Sequence, residues 1–131
     1  MLILDENISA IEEAKLHRWR IRSRTIGVEL ATKGTDDADL IPVLLTLPRP
    51  TFFTYDQDFW DQSLQHPDYC LVWLDTEEAE QAHTIRAFLR HTEFNTHAKR
   101  LGKVIRAHPD GLTYHDTRHG KPKHTAWLRS V

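Results

Sequence analysis

Short apolar runs that stop at acidic residues set the rhythm of residues 1–90. Leu2-Ile3-Leu4 ends at Asp5, Thr51-Phe52-Phe53-Thr54 ends at Tyr55-Asp56, and residues 69–74, apolar throughout, end at Asp75. Runs of this length read as strands, and an uninterrupted one reads as a strand covered on both faces, as in a parallel sheet. Between them the spacing becomes helical. Ile8, Ile11, Ala14 and Leu16 predict a helix over 8–17, with Asn7 or Ser9 as N-cap. Thr35 or Asp36 caps a second helix running to about Leu47, in which Pro42 predicts a kink or a later start. Asp75 or Thr76 opens a third that runs to about Arg90, with Glu77, Glu78 and Glu80 where the helix dipole favours acids. A short helical turn is expected through Trp60 and Leu64.

Two stretches follow another period. Residues 18–24 read R-W-R-I-R-S-R. This alternation predicts a strand with Arg18, Arg20, Arg22 and Arg24 on one face and Trp19 and Ile21 on the other. Residues 27–34 read as a loop. Toward the end, 103–108, 112–116 and 124–128 are strand candidates, and Pro109-Asp110-Gly111 is a turn signal between the first two. The expected fold is α/β, three-layer α/β/α with a mainly parallel central sheet, plus a C-terminal β-hairpin extension. Residues 1–95 would form the core and 96–131 a basic extension of the same single domain.

Composition narrows the picture. A chain of 131 residues is long enough for one domain with a real core. Its apolar runs fall far below the roughly 20 residues that cross a bilayer, so no membrane partner is expected. The start, MLILDEN, lacks the basic residues and apolar length of a signal peptide. A single cysteine, Cys70, builds no disulfide framework, and a cytoplasmic setting is the default expectation. The net charge of −2 hides an asymmetry: residues 1–82 hold 7 Lys+Arg against 16 Asp+Glu, a net −9, and residues 83–131 hold 10 against 3, a net +7. A basic segment joined to an acidic one suits a polyanion-binding surface beside a cation site, or two regions that pair with each other.

The acids fall where a parallel sheet puts its working edge. Asp5 follows the first strand, Asp36 and Asp37 open a helix, and Asp56 and Asp58 follow the 51–54 strand. The carboxyl ends of strands form the ligand crevice of open α/β sheets. Two carboxylates about 4 Å apart repel by roughly 4 kcal/mol at an effective dielectric near 20, so a cluster needs protons or a cation. Oxygen-only ligands suit Mg²⁺ or Mn²⁺. Single aspartates in such places are also caps and turn formers, and spacing alone leaves both readings open.

Three segments carry a resemblance: Leu4-Asp5-Glu6-Asn7-Ile8-Ser9, residues 34–42 (G-T-D-D-A-D-L-I-P), and residues 51–59 (T-F-F-T-Y-D-Q-D-F). In order and spacing they resemble a family of small bacterial PIN-like proteins related to VapC-type toxins. The likeness covers residues 1 to about 90. It implies a PIN-like fold and a metal-dependent ribonuclease that hydrolyses RNA phosphodiesters with water activated by Mg²⁺ or Mn²⁺. It further implies the toxin of a toxin–antitoxin pair, with RNA as substrate, a protein antitoxin as partner, and a homodimer. Asp5, Asp37 and Asp56 would be the core catalytic and metal-binding residues, Asp58 a fourth, and Thr54 or Asn7 a supporting partner; Asp36 and Asp37 exchange roles if the helix starts later. The chain departs from the pattern at Ala38, which interrupts an acidic run, and at Tyr55, where a basic residue is common. An inactive PIN-like module that binds RNA or a protein is the alternative.

For nucleic acid the candidates are Arg20, Arg22 and Arg24 with Arg18 beside them, and Lys99, Arg100 and Lys103 with Arg106 beyond. Alternating arginines also protect a solvated sheet edge. His108, His115, His119 and His124 are spaced 7, 4 and 5 apart, which matches no metal motif. Trp19, Trp60, Trp73 and Trp127 read as core or half-buried anchors. A receiver-like domain also gathers aspartates after strands and wants an acidic pair after strand one, which Asp5-Glu6 supplies, and a lysine on the last strand, but the expected strand order and the hairpin tail count against it.

Overall fold

The computed structural model describes residues 1–26 and 37–128, the side chains of 37–39 excepted. In chain order the elements are β1 (Leu2–Leu4), α1 (Ala10–Arg18), β2 (Arg24–Thr25), α2 (Asp37–Leu45), β3 (Thr51–Thr54), 3₁₀ turns at Gln57–Phe59 and Gln62–Leu64, β4 (Cys70–Leu74), a 3₁₀ turn at Glu78–Glu80, α3 (Gln81–Arg90), α4 (His97–Arg100), β5 (Val104–His108), β6 (Gly111–His115) and β7 (Lys123–Thr125). They build a mixed α/β fold around one seven-stranded sheet of order β2-β1-β3-β4-β5-β6-β7. The pairings from β2 to β5 are parallel, and those of β5 with β6 and β6 with β7 are antiparallel. β5 thus belongs to the parallel run and to the antiparallel one. Among the described residues no helix is long and apolar enough to cross a membrane.

Period-two alternation sorts the strand residues between two cores. Leu4, Phe53, Val72, Leu74, Ile105 and Ala107 meet Leu16 of α1 and Ile85 and Phe88 of α3. Ile3, Phe52, Leu71 and Val104, one residue out of phase, meet Leu40 and Leu44 of α2 and Phe59 of the first 3₁₀ turn. Cys70 lies in the middle strand with no exposure, and burial pushes its thiol pKa up to about 12. Glu12 of α1, 2% exposed, accepts from the Ala82 N–H at 3.1 Å and pairs with Lys15 at 2.6 Å, so α1 supplies the cap that α3 lacks in its own sequence.

Two expectations need correction. The strand over 18–24 is the end of α1 and a turn: Arg20 N–H bonds His17 O at 3.0 Å and Ile21 N–H bonds Leu16 O at 3.0 Å, with Arg20 at φ 60°. This is the Schellman closure, with arginine where glycine is usual, and only Arg24–Thr25 pairs as strand. The four arginines therefore share no strand face. Strand order, counted above against a receiver-like domain, does not exclude one, because β2-β1-β3-β4-β5 is the doubly wound order such domains share. β5 reads Val-Ile-Arg-Ala-His and carries no lysine.

Candidate functional site

The topology changes direction between β1 and β3: from β1 the chain passes outward to β2, then returns to the other side of β1 as β3. Loops at the carboxyl ends of such a pair leave in opposite directions and open a crevice. Asp5 stands at the end of β1, its N–H bonded to Phe53 O at 2.9 Å. Since Leu4 is in register with Phe53, Asp5 lies beside Thr54.

Buried Thr54 joins the two acids. Its hydroxyl donates to Asp5 Oδ2 at 2.7 Å and accepts from the Asp56 N–H at 3.0 Å. Burial raises the Asp5 pKa above the ordinary carboxylate value; bonds from Thr54 and the Glu6 N–H oppose the rise, and the charges of Glu6 and Asp56 add to it. Asp56 Oδ1 accepts from the Asp58 N–H at 2.9 Å, capping the 3₁₀ turn. Its other oxygen makes no protein hydrogen bond among the described residues. Asn7 Oδ1 accepts from Tyr55 N–H at 3.0 Å, and the Tyr55 hydroxyl donates to Thr76 O at 2.8 Å, so the loops after β1, β3 and β4 are tied together.

Of the expected acids, the structure brings Asp5 and Asp56 to one edge of the sheet. Asp58 is exposed on the 3₁₀ turn that follows. Asp37 opens α2, but its side chain, like the whole of Asp36, lies outside the described residues. Among the described residues no three His, Cys, Asp or Glu are grouped to hold a metal ion. Two neighbouring carboxylates still suit Mg²⁺, which keeps several waters and takes one or two protein carboxylates.

The basic residues sit elsewhere. Arg20, Arg22 and Arg24, with His17, Met1 and Leu2, line a cavity of about 450 Å³ toward the amino ends of β1 and β2. Lys99, Arg100 and Lys103 lie before β5, at the amino edge too, three strands away from β1. Lys99 Nζ is bonded to Thr92 O and Asn95 Oδ1, and Lys103 Nζ to Lys99 O. Arg100 is 5% exposed, and its guanidinium holds Thr51 Oγ1, Phe94 O and His97 Nδ1 at 3.1, 2.9 and 3.3 Å. Pinned among these groups, it does not face solvent as a phosphate-tracking arginine must.

Neither Asp75 nor Thr76 opens the third helix, because α3 begins only at Gln81. Instead Asp75 Oδ2 receives Arg106 Nε at 2.9 Å and Nη2 at 2.7 Å. Its place after β4, like that of Asp5 after β1, was the available signal. His108 Nε2 and His124 Nδ1 flank Thr113 Oγ1 at 2.9 and 3.1 Å, and His115 stacks on Trp60 with ring centroids 4.8 Å apart. Comparison of the chain with protein-family models, with curated proteins and with solved structures finds no match.

Proposed function

We propose that this chain is a PIN-like, Mg²⁺- or Mn²⁺-dependent ribonuclease, the toxin of a toxin–antitoxin pair. The observation that supports this most is the meeting of Asp5 and Asp56 at the β1/β3 switch point, coupled through the Thr54 hydroxyl. Asp5, poorly solvated and beside other acids, holds its charge more easily with a cation at hand. A bound divalent cation supplies acidified water and stabilises charge on a phosphodiester. Thr54 holds the Asp5 carboxylate by Oδ2, and the Asp58 N–H holds Asp56 by Oδ1. Asp37 and Asp58 complete the proposed acid set. The arginines of the amino-edge cavity would hold RNA away from the acids; strands of three to five residues separate the two edges by about 10–17 Å.

The test is cleavage of single-stranded RNA with Mn²⁺ present or chelated. Chelator abolishes cleavage, and Asp56→Asn lowers it by about a hundredfold or more while the circular dichroism spectrum stays unchanged. Undiminished cleavage by a folded Asp56→Asn protein removes the proposed site. RNA binding with no cleavage under any metal supports the inactive-module alternative.

A further inference from the structure

Among the described residues, one sheet face has no α-helix between β3 and β4 to cover its carboxyl half. The face that carries Ile3, Phe52, Leu71 and Val104 is covered toward its amino edge by α2 and the 3₁₀ turns, through Leu40, Leu44 and Phe59. A doubly wound sheet normally sends a helix from β3 to β4 over this face; here the connection holds only two 3₁₀ turns. One residue pair further along the strands, the register sets Thr54 beside Trp73, Trp73 beside Arg106, Arg106 beside Thr113, and Thr113 beside His124. With Asp5 next to Thr54, the row crosses six strands, about 24 Å at the usual strand spacing.

Trp73 is the odd member of this row. Trp19 and Trp127 pack on one core and Trp60 on the other, but among the described residues half-buried Trp73 packs on neither. A large indole on a central strand is ordinarily core. Its neighbour there is the Arg106 guanidinium, 5.5 Å from the ring centroid and oriented by Asp75. Arg106 Nη1 has no protein partner among the described residues. Beyond Arg106 stand the Thr113 hydroxyl and the exposed imidazole of His124.

We infer that this half-face is a platform for single-stranded RNA leading to Asp5 and Asp56, with a base stacked on half-buried Trp73 and the adjoining phosphate on Arg106. The inference rests on the nuclease reading for what happens at the acids, but not for the binding itself. An unpaired base offers the flat face that an indole takes, and a guanidinium held in plane offers donors to a phosphate; a duplex hides its bases and would not seat here. Trp73 is about two strand spacings from Asp5, a distance of roughly 10 Å, within reach of a neighbouring nucleotide.

The experiment titrates the full chain in chelator with a fluorescein-labelled oligoadenylate octamer, reading anisotropy and tryptophan fluorescence, with a matched duplex in parallel. Wild-type fluorescence is quenched by the single strand, and the quenching disappears in Trp73→Phe. Trp73→Phe binds within about threefold of wild type, Trp73→Leu about tenfold more weakly, and the duplex more weakly than the single strand. Unchanged affinity in a folded Trp73→Leu, quenching that survives in Trp73→Phe, equal binding of duplex, or no binding at all overturns the platform. Mn²⁺-dependent cleavage by the same proteins separates the two ideas. Cleavage indifferent to Trp73 leaves the nuclease and discards the platform, whereas Trp73-dependent binding without cleavage does the reverse.

Discussion

Thr54 has more depending on it than its size implies. One hydroxyl orients the Asp5 carboxylate and receives the Asp56 N–H, so Thr54→Val keeps the strand's shape and removes both bonds. If the acids hold the proposed cation, losses of this kind cost about 10- to 100-fold in affinity or activity, and Thr54→Ser should recover most of it. A Mn²⁺ titration of the three proteins checks this. Asp5 carries a prediction in pH. Its folded pKa is raised above the ordinary 3.8, chiefly by burial, so between the unfolded and folded values the folded state holds more protons. Stability from this group is therefore lost as pH rises through that window, and at neutral pH the ionised carboxylate weighs against the fold. Measured in chelator, the melting temperature of Asp5→Asn relative to wild type should improve from pH 3 to pH 7. Added Mn²⁺ should raise the wild-type value and leave the variant's unmoved. A difference flat in pH would mean that Asp5 is no more burdened in the fold than in the unfolded chain.

At the scale of elements, apolar runs were legible and polar alternation was not. β1 and β3 sit where the runs Leu2–Leu4 and Thr51–Thr54 put them, and β4 starts one residue inside 69–74, because a strand covered on both faces writes itself as unbroken hydrophobicity. The R-W-R-I-R-S-R stretch misled because a helix end followed by a left-handed residue leaves no period of its own, and alternation over seven positions arises by chance. The same gap hid the start of α3: Glu77, Glu78 and Glu80 look like a first turn, yet its buried cap is Glu12, distant in sequence. Of the site, the pairing of Asp5 with Asp56 was legible from strand ends, while Asp75–Arg106 required knowing that β5 lies beside β4. Arg20 gives the prediction here. At φ 60° an L side chain crowds its own backbone by roughly 1–2 kcal/mol, offset partly by the freedom glycine has when unfolded. Arg20→Gly should raise stability by about 0.5–1 kcal/mol, read from the urea midpoint at unchanged m value. A lower midpoint would show that the arginine side chain contributes more than its backbone costs.

For the whole molecule, the sheet separates charge by edge. The carboxylates of Asp5 and Asp56 stand at the carboxyl edge, and the arginine-lined cavity and the Lys99–Lys103 segment at the amino edge, with the two cores between. Neither set masks the other, which is what the proposed nuclease would need to hold both a cation and a polyanion. The same layering encloses Cys70, the chain's one thiol, in β4 between the strands that carry the rest of the fold. A thiol there, reluctant to ionise and shut from solvent, meets an alkylating reagent only in moments when β4 has come apart from β3 and β5. Iodoacetamide should label the native chain at least about a thousandfold more slowly than the chain in urea. The protein thus carries a built-in clock: at most one mass increment per molecule, each marking a captured opening of its central strand, countable by mass spectrometry with the alkylating reagent as the only addition.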